Sequence, residues 1–307
     1  MEKIALFVPS SFPASGTQLQ NYDVVGPDAL AADAPILKQV RAIAAAGPMP
    51  IGADLIARLP KLEIVAKFGV GYDTVDVDAA RAANVVVTNT PDVLTDEVAD
   101  LAVGLLIATV RQIPQADRFV RAGKWPSGGF PLTRSLRGRR VGILGLGRIG
   151  RAIADRLVAM RLEVAYCTRT PQSGLPYAYY DNPLALAQAC DVMIVVVPGG
   201  AATDGLVSKD VIEALGPDGV LINIARGTVV DEGALIAALE QGRLGASGLD
   251  VFEDEPNVPA ALMTLPNVVL LPHIGSGTGA TRDAMGDLVL ANLESWFAGR
   301  GPLTPVT

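Results

Sequence analysis

The chain has 307 residues, of which 50% are hydrophobic and 19% charged, and it carries a net charge of −7. That is too apolar for a disordered chain and suits a well-buried α/β protein of one large or two ordinary domains. The acidic balance, with no basic run long enough to track a phosphate backbone, argues against nucleic acid as a partner.

Strand-like apolar runs open the chain at residues 4–8 and recur at 42–45, 64–68 and 85–88. Helical stretches lie between them, such as 52–58 and 77–83. The N-terminal run lacks the apolar core and small-residue cleavage site of a signal peptide. The longest apolar run, 101–110, is too short to span a bilayer and is flanked by Asp100 and Arg111. It predicts a buried helix over 96–111 that bridges two blocks. Residues 112–138 are rich in Gly, Pro and Arg and contain Trp125. That is too long for a plain connector and predicts an arm that packs on something. Its basic residues Arg134, Arg137, Arg139 and Arg140 read as a solvated linker.

A second block follows, with strand-like runs at 140–145, 163–168, 192–198, 219–225, 247–252 and 268–272. Helical patterns at 148–160, 184–189 and 232–240 separate them. Apolar strands alternating with helices predict parallel sheets covered on both faces. In the tail, Met285, Leu288, Val289, Leu293 and Phe297 recur at helical spacing over 283–298. A return of this helix to the first block would make that domain discontinuous. The two cysteines, Cys167 and Cys190, are too few for a disulfide framework and fit a reducing, cytoplasmic setting.

The strand at 140–144 runs into Gly145-Leu146-Gly147-Arg148-Ile149-Gly150 and then a helix. A bare G-x-G-x-x-G is weak evidence, but between a buried strand and a helix it signals dinucleotide binding. Gly145 permits the tight turn, Gly147 admits the pyrophosphate, and Gly150 lets helix pack on strand. The helix N-terminus offers free N–H groups to phosphate. The next strand ends in Thr168-Arg169-Thr170, with Thr168 placed 18 residues after Gly150. NAD enzymes place a carboxylate about there, 20 or so residues on, to hold the ribose 2′-hydroxyl. Here the carboxylate is missing and an arginine can pair with a 2′-phosphate. NADP(H) is therefore the expected cofactor, with NAD(H) possible.

Three later strands end on polar residues: Asn223-Ile224-Ala225-Arg226-Gly227, the stretch from Asp250 to Glu255, and Pro272-His273. His273 is the one histidine of the chain. In an open α/β sheet the loops at the carboxyl ends of strands line the ligand crevice. All three groups are expected there, facing the nicotinamide.

These segments, with Gly69-Val70-Gly71-Tyr72-Asp73 and Asn89-Thr90-Pro91-Asp92-Val93-Leu94-Thr95, carry a resemblance over nearly the whole chain. It resembles the D-isomer-specific 2-hydroxyacid dehydrogenase family, and within it the glyoxylate/hydroxypyruvate reductases and their hydroxyphenylpyruvate-reducing relatives. The resemblance implies two doubly wound parallel-sheet α/β domains. A Rossmann dinucleotide-binding domain, 99–274, would be inserted in a flavodoxin-like substrate domain, 1–98 with 275–307. The arm 112–138 would join a homodimer.

The resemblance also implies roles. Arg226 would hold the substrate carboxylate and polarise the keto oxygen. His273 would donate a proton to that oxygen, and Glu255 would pair with His273 and favour its protonated form. The N–H groups of Val70 and Gly71 would bind the carboxylate, with Met49 and Trp125 shaping the substrate pocket. Arg148, Ile149, Val197, Pro198, Thr203, Ile224, Ala225, Asp250, Gly275 and Thr95 would touch the cofactor. No metal is expected. Pro198-Gly199-Gly200-Ala201-Ala202-Thr203 departs from the family's commoner Pro-Leu-Thr-x-x-Thr, and Met49 would admit a more hydrophobic acid. The expected reaction is NADPH reduction of a small 2-keto acid to the D-2-hydroxy acid. The rivals are an aromatic 2-keto acid as substrate, formate dehydrogenase chemistry, and a non-catalytic NAD(P)H-sensing protein.

Overall fold

The computed structural model describes residues 3–9 and 19–306. They form two compact units, one holding the described residues up to Leu94 and from Ser276 on, the other Thr95–Gly275.

The first unit is a parallel sheet of β1 (Ile4–Phe7), β2 (Tyr22–Val25), β3 (Val40–Ala45), β4 (Ile64–Lys67) and β5 (Val86–Thr88). The spatial order is β2-β1-β3-β4-β5, the flavodoxin-like arrangement. Strand β2 was not anticipated. It is a short edge strand whose Asp23 and Val24 face out, so it lacks the apolar run of its neighbours. The helix Gly279–Phe297 packs on β4, as the tail pattern predicts. Thr278 caps it by accepting from the Thr281 N–H. Near its end the Trp296 indole donates to Glu63 Oε2 at 3.1 Å, and Arg41, bonded to Glu63 at 2.6 Å, lies over the Phe297 ring.

The second unit is a seven-stranded parallel sheet: β6 (Arg140–Leu144), β7 (Glu163–Cys167), β8 (Ala178–Tyr180), β9 (Val192–Val195), β10 (Val220–Asn223), β11 (Ala246–Leu249) and β12 (Val268–Leu270). From one edge the order runs β8-β7-β6, then reverses through β9-β10-β11-β12. This is the Rossmann order with one added strand, and its switch point lies between β6 and β9. Strands β9, β10 and β11 are buried along their whole length, which explains why they read as continuous apolar runs. Apolar cores cover both faces of the sheet.

Several expectations are corrected. The helix Thr95–Val110 does not bridge the blocks but belongs entirely to the second unit, on the helix Arg148–Ala159 and on β11. A Cβ on Gly248 of β11 would lie 2.5 Å from Thr109 Oγ1, so the helix rests where the strand has no side chain. The second compact unit runs from Thr95 to Gly275. The second strand block also stops short of its expected ends. Ala225 and Phe252 are buried under loops rather than paired in strands, which made them look like strand residues. The arm contains a helix, Ile113–Arg121, and a 3-10 turn, Trp125–Ser127. Nor is its basic segment a solvated linker. Arg134 and Arg139 donate to the carbonyls of Pro217 and Asp218, and Arg140 pairs with Glu163. Among the described residues, no helix is long and apolar enough to cross a membrane. Cys167 and Cys190 are free, and burial pushes their thiols up to about 11 and about 12.

Candidate active site

The glycine turn follows β6. Gly145 sits at φ +103°, and a Cβ there would lie 2.9 Å from the Val196 carbonyl oxygen. A Cβ on Gly150 would lie 2.1 Å from the carbonyl oxygen of Gly145. These two glycines are therefore required by packing inside the protein. Gly147 is different: it ends in extended backbone, no side chain caps the helix Arg148–Ala159 behind it, and a Cβ would meet nothing within 4 Å. The turn presents open backbone at an uncapped helix N-terminus, where a phosphate is favoured. A second vacancy in the hydrogen bonding is Thr95 Oγ1, which is buried and unpartnered. The residues present fit a dinucleotide: an open glycine turn and an uncapped helix.

The loop after β7 is held from behind. Thr168 Oγ1 donates to the Thr170 carbonyl at 2.7 Å, and the Tyr179 hydroxyl donates to the Thr168 carbonyl at 3.2 Å. Arg169 is exposed and makes no ion pair among the described residues. A solvated guanidinium beside an open turn is free to take an anion. After β9, Thr203 Oγ1 donates to the carbonyls of Pro198 and Gly200, closing that loop on itself.

Arg226, Glu255 and His273 follow β10, β11 and β12, three neighbouring strands. The Asn223 side chain shapes the first loop. Its Oδ1 accepts from the Ala225 N–H at 3.0 Å and its Nδ2 donates to the Arg226 carbonyl at 2.9 Å. Gly227 then passes so close to the next loop that a Cβ would lie 1.9 Å from the Phe252 carbonyl carbon. This contact brings Arg226 within electrostatic reach of Glu255.

His273 Nδ1 lies 2.6 Å from Glu255 Oε2, and Glu255 Oε1 accepts from the Phe252 N–H at 3.1 Å. Burial pushes the Glu255 carboxyl up, but the His273 hydrogen bond and charge, the Phe252 N–H and the Arg226 charge outweigh it. The group ends below the usual carboxylate range. With Nδ1 engaged, Nε2 is the ring nitrogen left to exchange a proton. His273 is itself in the left-handed region at φ 51°, uncommon for a residue with a side chain. Asp250 supports that conformation. It is 2% exposed, its carbonyl accepts from the His273 N–H, and its two carboxylate oxygens accept from Ile274 and Gly275 at 2.7 and 2.8 Å. Burial leaves its carboxyl above the usual range despite those bonds. Asp250, expected only as a cofactor contact, is thus a clamp for the His273 loop.

In the first unit, the loop after β4 carries Val70 and Gly71. Asn89 Nδ2 donates to the Val70 carbonyl, and Gly69 is bonded in both directions to Thr90. This holds the carbonyl side of the loop and leaves the Val70 and Gly71 N–H groups unengaged among the described residues. Met49 packs at the edge of that unit's core. Trp125 stands on the arm, 65% exposed, with no hydrogen bond or ring contact to the Arg226, Glu255 and His273 group. Among the described residues, no cluster of His, Cys, Asp or Glu could hold a metal ion.

Comparison with known proteins agrees with this geometry. Residues 103–275 match the model of the D-isomer specific 2-hydroxyacid dehydrogenase, NAD binding domain. The chain is 51% identical over 269 residues to a hydroxyphenylpyruvate reductase of Plectranthus scutellarioides, covering 88% of this chain and 86% of that one. It is also 51% identical over 267 residues to a glyoxylate/hydroxypyruvate reductase A of Arabidopsis thaliana, covering 87% and 85%. Among solved structures, the NADPH-dependent glyoxylate/hydroxypyruvate reductase of Sinorhizobium meliloti, in complex with NADP and malonate, superposes with a TM-score of 0.94 at 49% identity. That match covers 100% of this chain and 97% of the other. Strand order, glycine turn and strand-end residues are those of one lineage: the chain belongs to the D-isomer specific 2-hydroxyacid dehydrogenase family.

Proposed function

We propose that the protein is an NADPH-dependent reductase converting a small 2-keto acid, glyoxylate or hydroxypyruvate, to the D-2-hydroxy acid. The observation that carries this is the His273–Glu255 pair beside Arg226, at the ends of neighbouring strands in a sheet with an open glycine turn. Bound NADPH would supply the hydride. The turn Gly145 to Gly150, with Arg148 and Ile149, would hold its pyrophosphate, and Arg169 with Thr168 and Thr170 its 2′-phosphate. Thr95, Val197, Pro198, Thr203, Ile224, Ala225, Asp250 and Gly275 remain its further contacts in this reading.

Arg226 pairs with the substrate carboxylate and draws electron density from the neighbouring keto group. The Val70 and Gly71 N–H groups are donors suited to a carboxylate. His273 holds a proton at Nε2 and gives it to the keto oxygen as the alkoxide forms. Glu255, held ionised by its surroundings, stabilises the imidazolium before transfer and fixes the ring orientation. An aromatic 2-keto acid is the second reading, favoured by the 51% identity to a hydroxyphenylpyruvate reductase and by the apolar Met49.

The protein acts in the cytoplasm in this reading, and as a homodimer. The arm helix Ile113–Arg121 buries no residue of its own, and Leu132 is fully exposed, so a second copy has apolar surface to cover. Sedimentation of the purified protein tests the dimer. The activity is tested by NADPH oxidation with hydroxypyruvate, glyoxylate and hydroxyphenylpyruvate. His273→Ala is expected to lower kcat by roughly a hundredfold to ten-thousandfold while NADPH binding stays near normal. Turnover retained in that variant would refute the assignment, and no turnover of any keto acid by wild type would favour a sensing role.

A further inference from the structure

The cofactor reading uses two loops, the glycine turn after β6 and the loop after β7. One residue outside both motifs joins them. The Gln172 side chain donates from Nε2 to the carbonyl of Leu146, inside the glycine turn, at 3.0 Å. Its Oε1 accepts from Arg151 Nη2, on the helix that follows the turn, at 2.6 Å. Its backbone is pinned separately: the buried Tyr166 hydroxyl accepts from the Gln172 N–H at 2.9 Å and donates to the Gln172 carbonyl at 3.3 Å. Between Tyr166 and Gln172 the chain makes the Thr168-Arg169-Thr170 loop.

Both ends of that loop are therefore fixed to the sheet by one tyrosine, and beside the backbone bond from the Gly145 N–H to the Cys167 carbonyl the Gln172 amide is its side-chain link to the glycine turn. An amide is suited to this position because it donates and accepts at once. A carboxylate could take Arg151 but not donate to Leu146, and a methionine could do neither.

We propose that Gln172 is a positioning residue for cofactor choice. It holds the Thr168–Thr170 loop at the distance from the glycine turn at which Arg169 meets a ribose 2′-phosphate. The proposal rests on the NADPH reading given above. A cofactor without the 2′-phosphate needs the glycine turn but not the arginine, so it depends little on this offset. Because Tyr166 keeps the Gln172 backbone bonded, replacing the side chain should loosen the loop's hold on the glycine turn without unfolding it.

The test compares wild type, Gln172→Met and Gln172→Glu by calorimetry with 2′,5′-ADP and 5′-ADP, beside steady-state kinetics with NADPH and NADH. Gln172→Met is expected to weaken 2′,5′-ADP binding about tenfold, the loss of two modest hydrogen bonds. It should raise KM for NADPH similarly and leave 5′-ADP binding and kcat within about twofold of wild type. Gln172→Glu, which keeps an acceptor for Arg151 but cannot donate to Leu146, should weaken 2′,5′-ADP about as much as Gln172→Met does. Thermal melts of both variants check that the fold is kept. Equal losses for the two nucleotides, or none for either, would overturn the proposal while leaving the NADPH reading intact. A wild-type protein with no preference for 2′,5′-ADP over 5′-ADP would overturn that reading and this inference with it.

Discussion

His273 Nδ1 and Glu255 Oε2 stand 2.6 Å apart although 18 residues of chain separate them. They meet because β11 and β12 are neighbours and because Asp250 folds the His273 loop back toward β11.

A pH dependence follows from this pair. The Glu255 carboxyl is held below its ordinary value of 4.5, so the folded state binds its proton less readily than the unfolded chain. Stability from its ionisation is fully present above that ordinary value and is lost as pH falls through the lower, folded one. The gap in melting temperature between wild type and Glu255→Gln should therefore shrink as the pH drops below 4.5. A gap that persists unchanged far into acid would contradict the assignment of the shift.

Gly227→Ala tests the contact between the two loops. A Cβ there would lie 1.9 Å from the Phe252 carbonyl carbon and 2.2 Å from the Glu253 nitrogen, and backbone has to move to admit it. Overpacking of this kind costs about 1–3 kcal/mol. The variant should melt lower and lose most of its kcat, since Arg226 is displaced from Glu255. A variant with normal turnover would show that the spacing of Arg226 and Glu255 is not critical.

Arg169→Ala addresses the cofactor. Losing a charge-assisted contact to phosphate costs roughly 1.5–3 kcal/mol, or about ten- to hundredfold in KM. The increase is expected for NADPH alone, with KM for NADH little changed. Equal increases for both would mean that Arg169 stacks on the adenine, and no change for either that it is simply solvated.

Asp250→Asn separates the clamp from charge. Both carboxylate oxygens accept from backbone N–H groups, and an amide offers only one acceptor. The second N–H would face an NH2 group, at a cost of about 1–3 kcal/mol. Lower kcat and a lower melting temperature are expected together, with NADPH affinity the smaller change. Faster amide exchange at Ile274 and Gly275 would localise the damage to the His273 loop, and unchanged exchange would argue against the clamp.

The strand-end chemistry was legible because it is local. Arg226, Glu255 and His273 each follow an apolar run, and the glycine turn has a strand before it and a helix after it. What could not be read was contact between loops. Nothing in the sequence around Gly227 says that it touches Phe252, and nothing near Gln172 says that it reaches Leu146. Asp250 was read only as a cofactor contact because its partners lie 24 and 25 positions later. The edge strands β2 and β8 were missed for the opposite reason: they are only four and three residues long and partly exposed, so no apolar run announces them. The arm's helix carries its own signals, Pro114 in the first turn and Ile113, Ala116, Phe119 and Val120 at helical spacing, but the glycines and prolines around it outweighed them.

The order of the strands has a consequence for how such a protein can change. In the proposed reading the adenosine-side loops follow β6 and β7, on one side of the reversal, and the proton-transfer group follows β10, β11 and β12, on the other. Substitutions that retune the nucleotide are therefore separated by β9 from those that retune the reaction. Variation at the adenosine end can accumulate apart from the proton-transfer group, while Ile224, Ala225, Asp250 and Gly275, cofactor contacts in the proposed reading, tie the two sets of loops together.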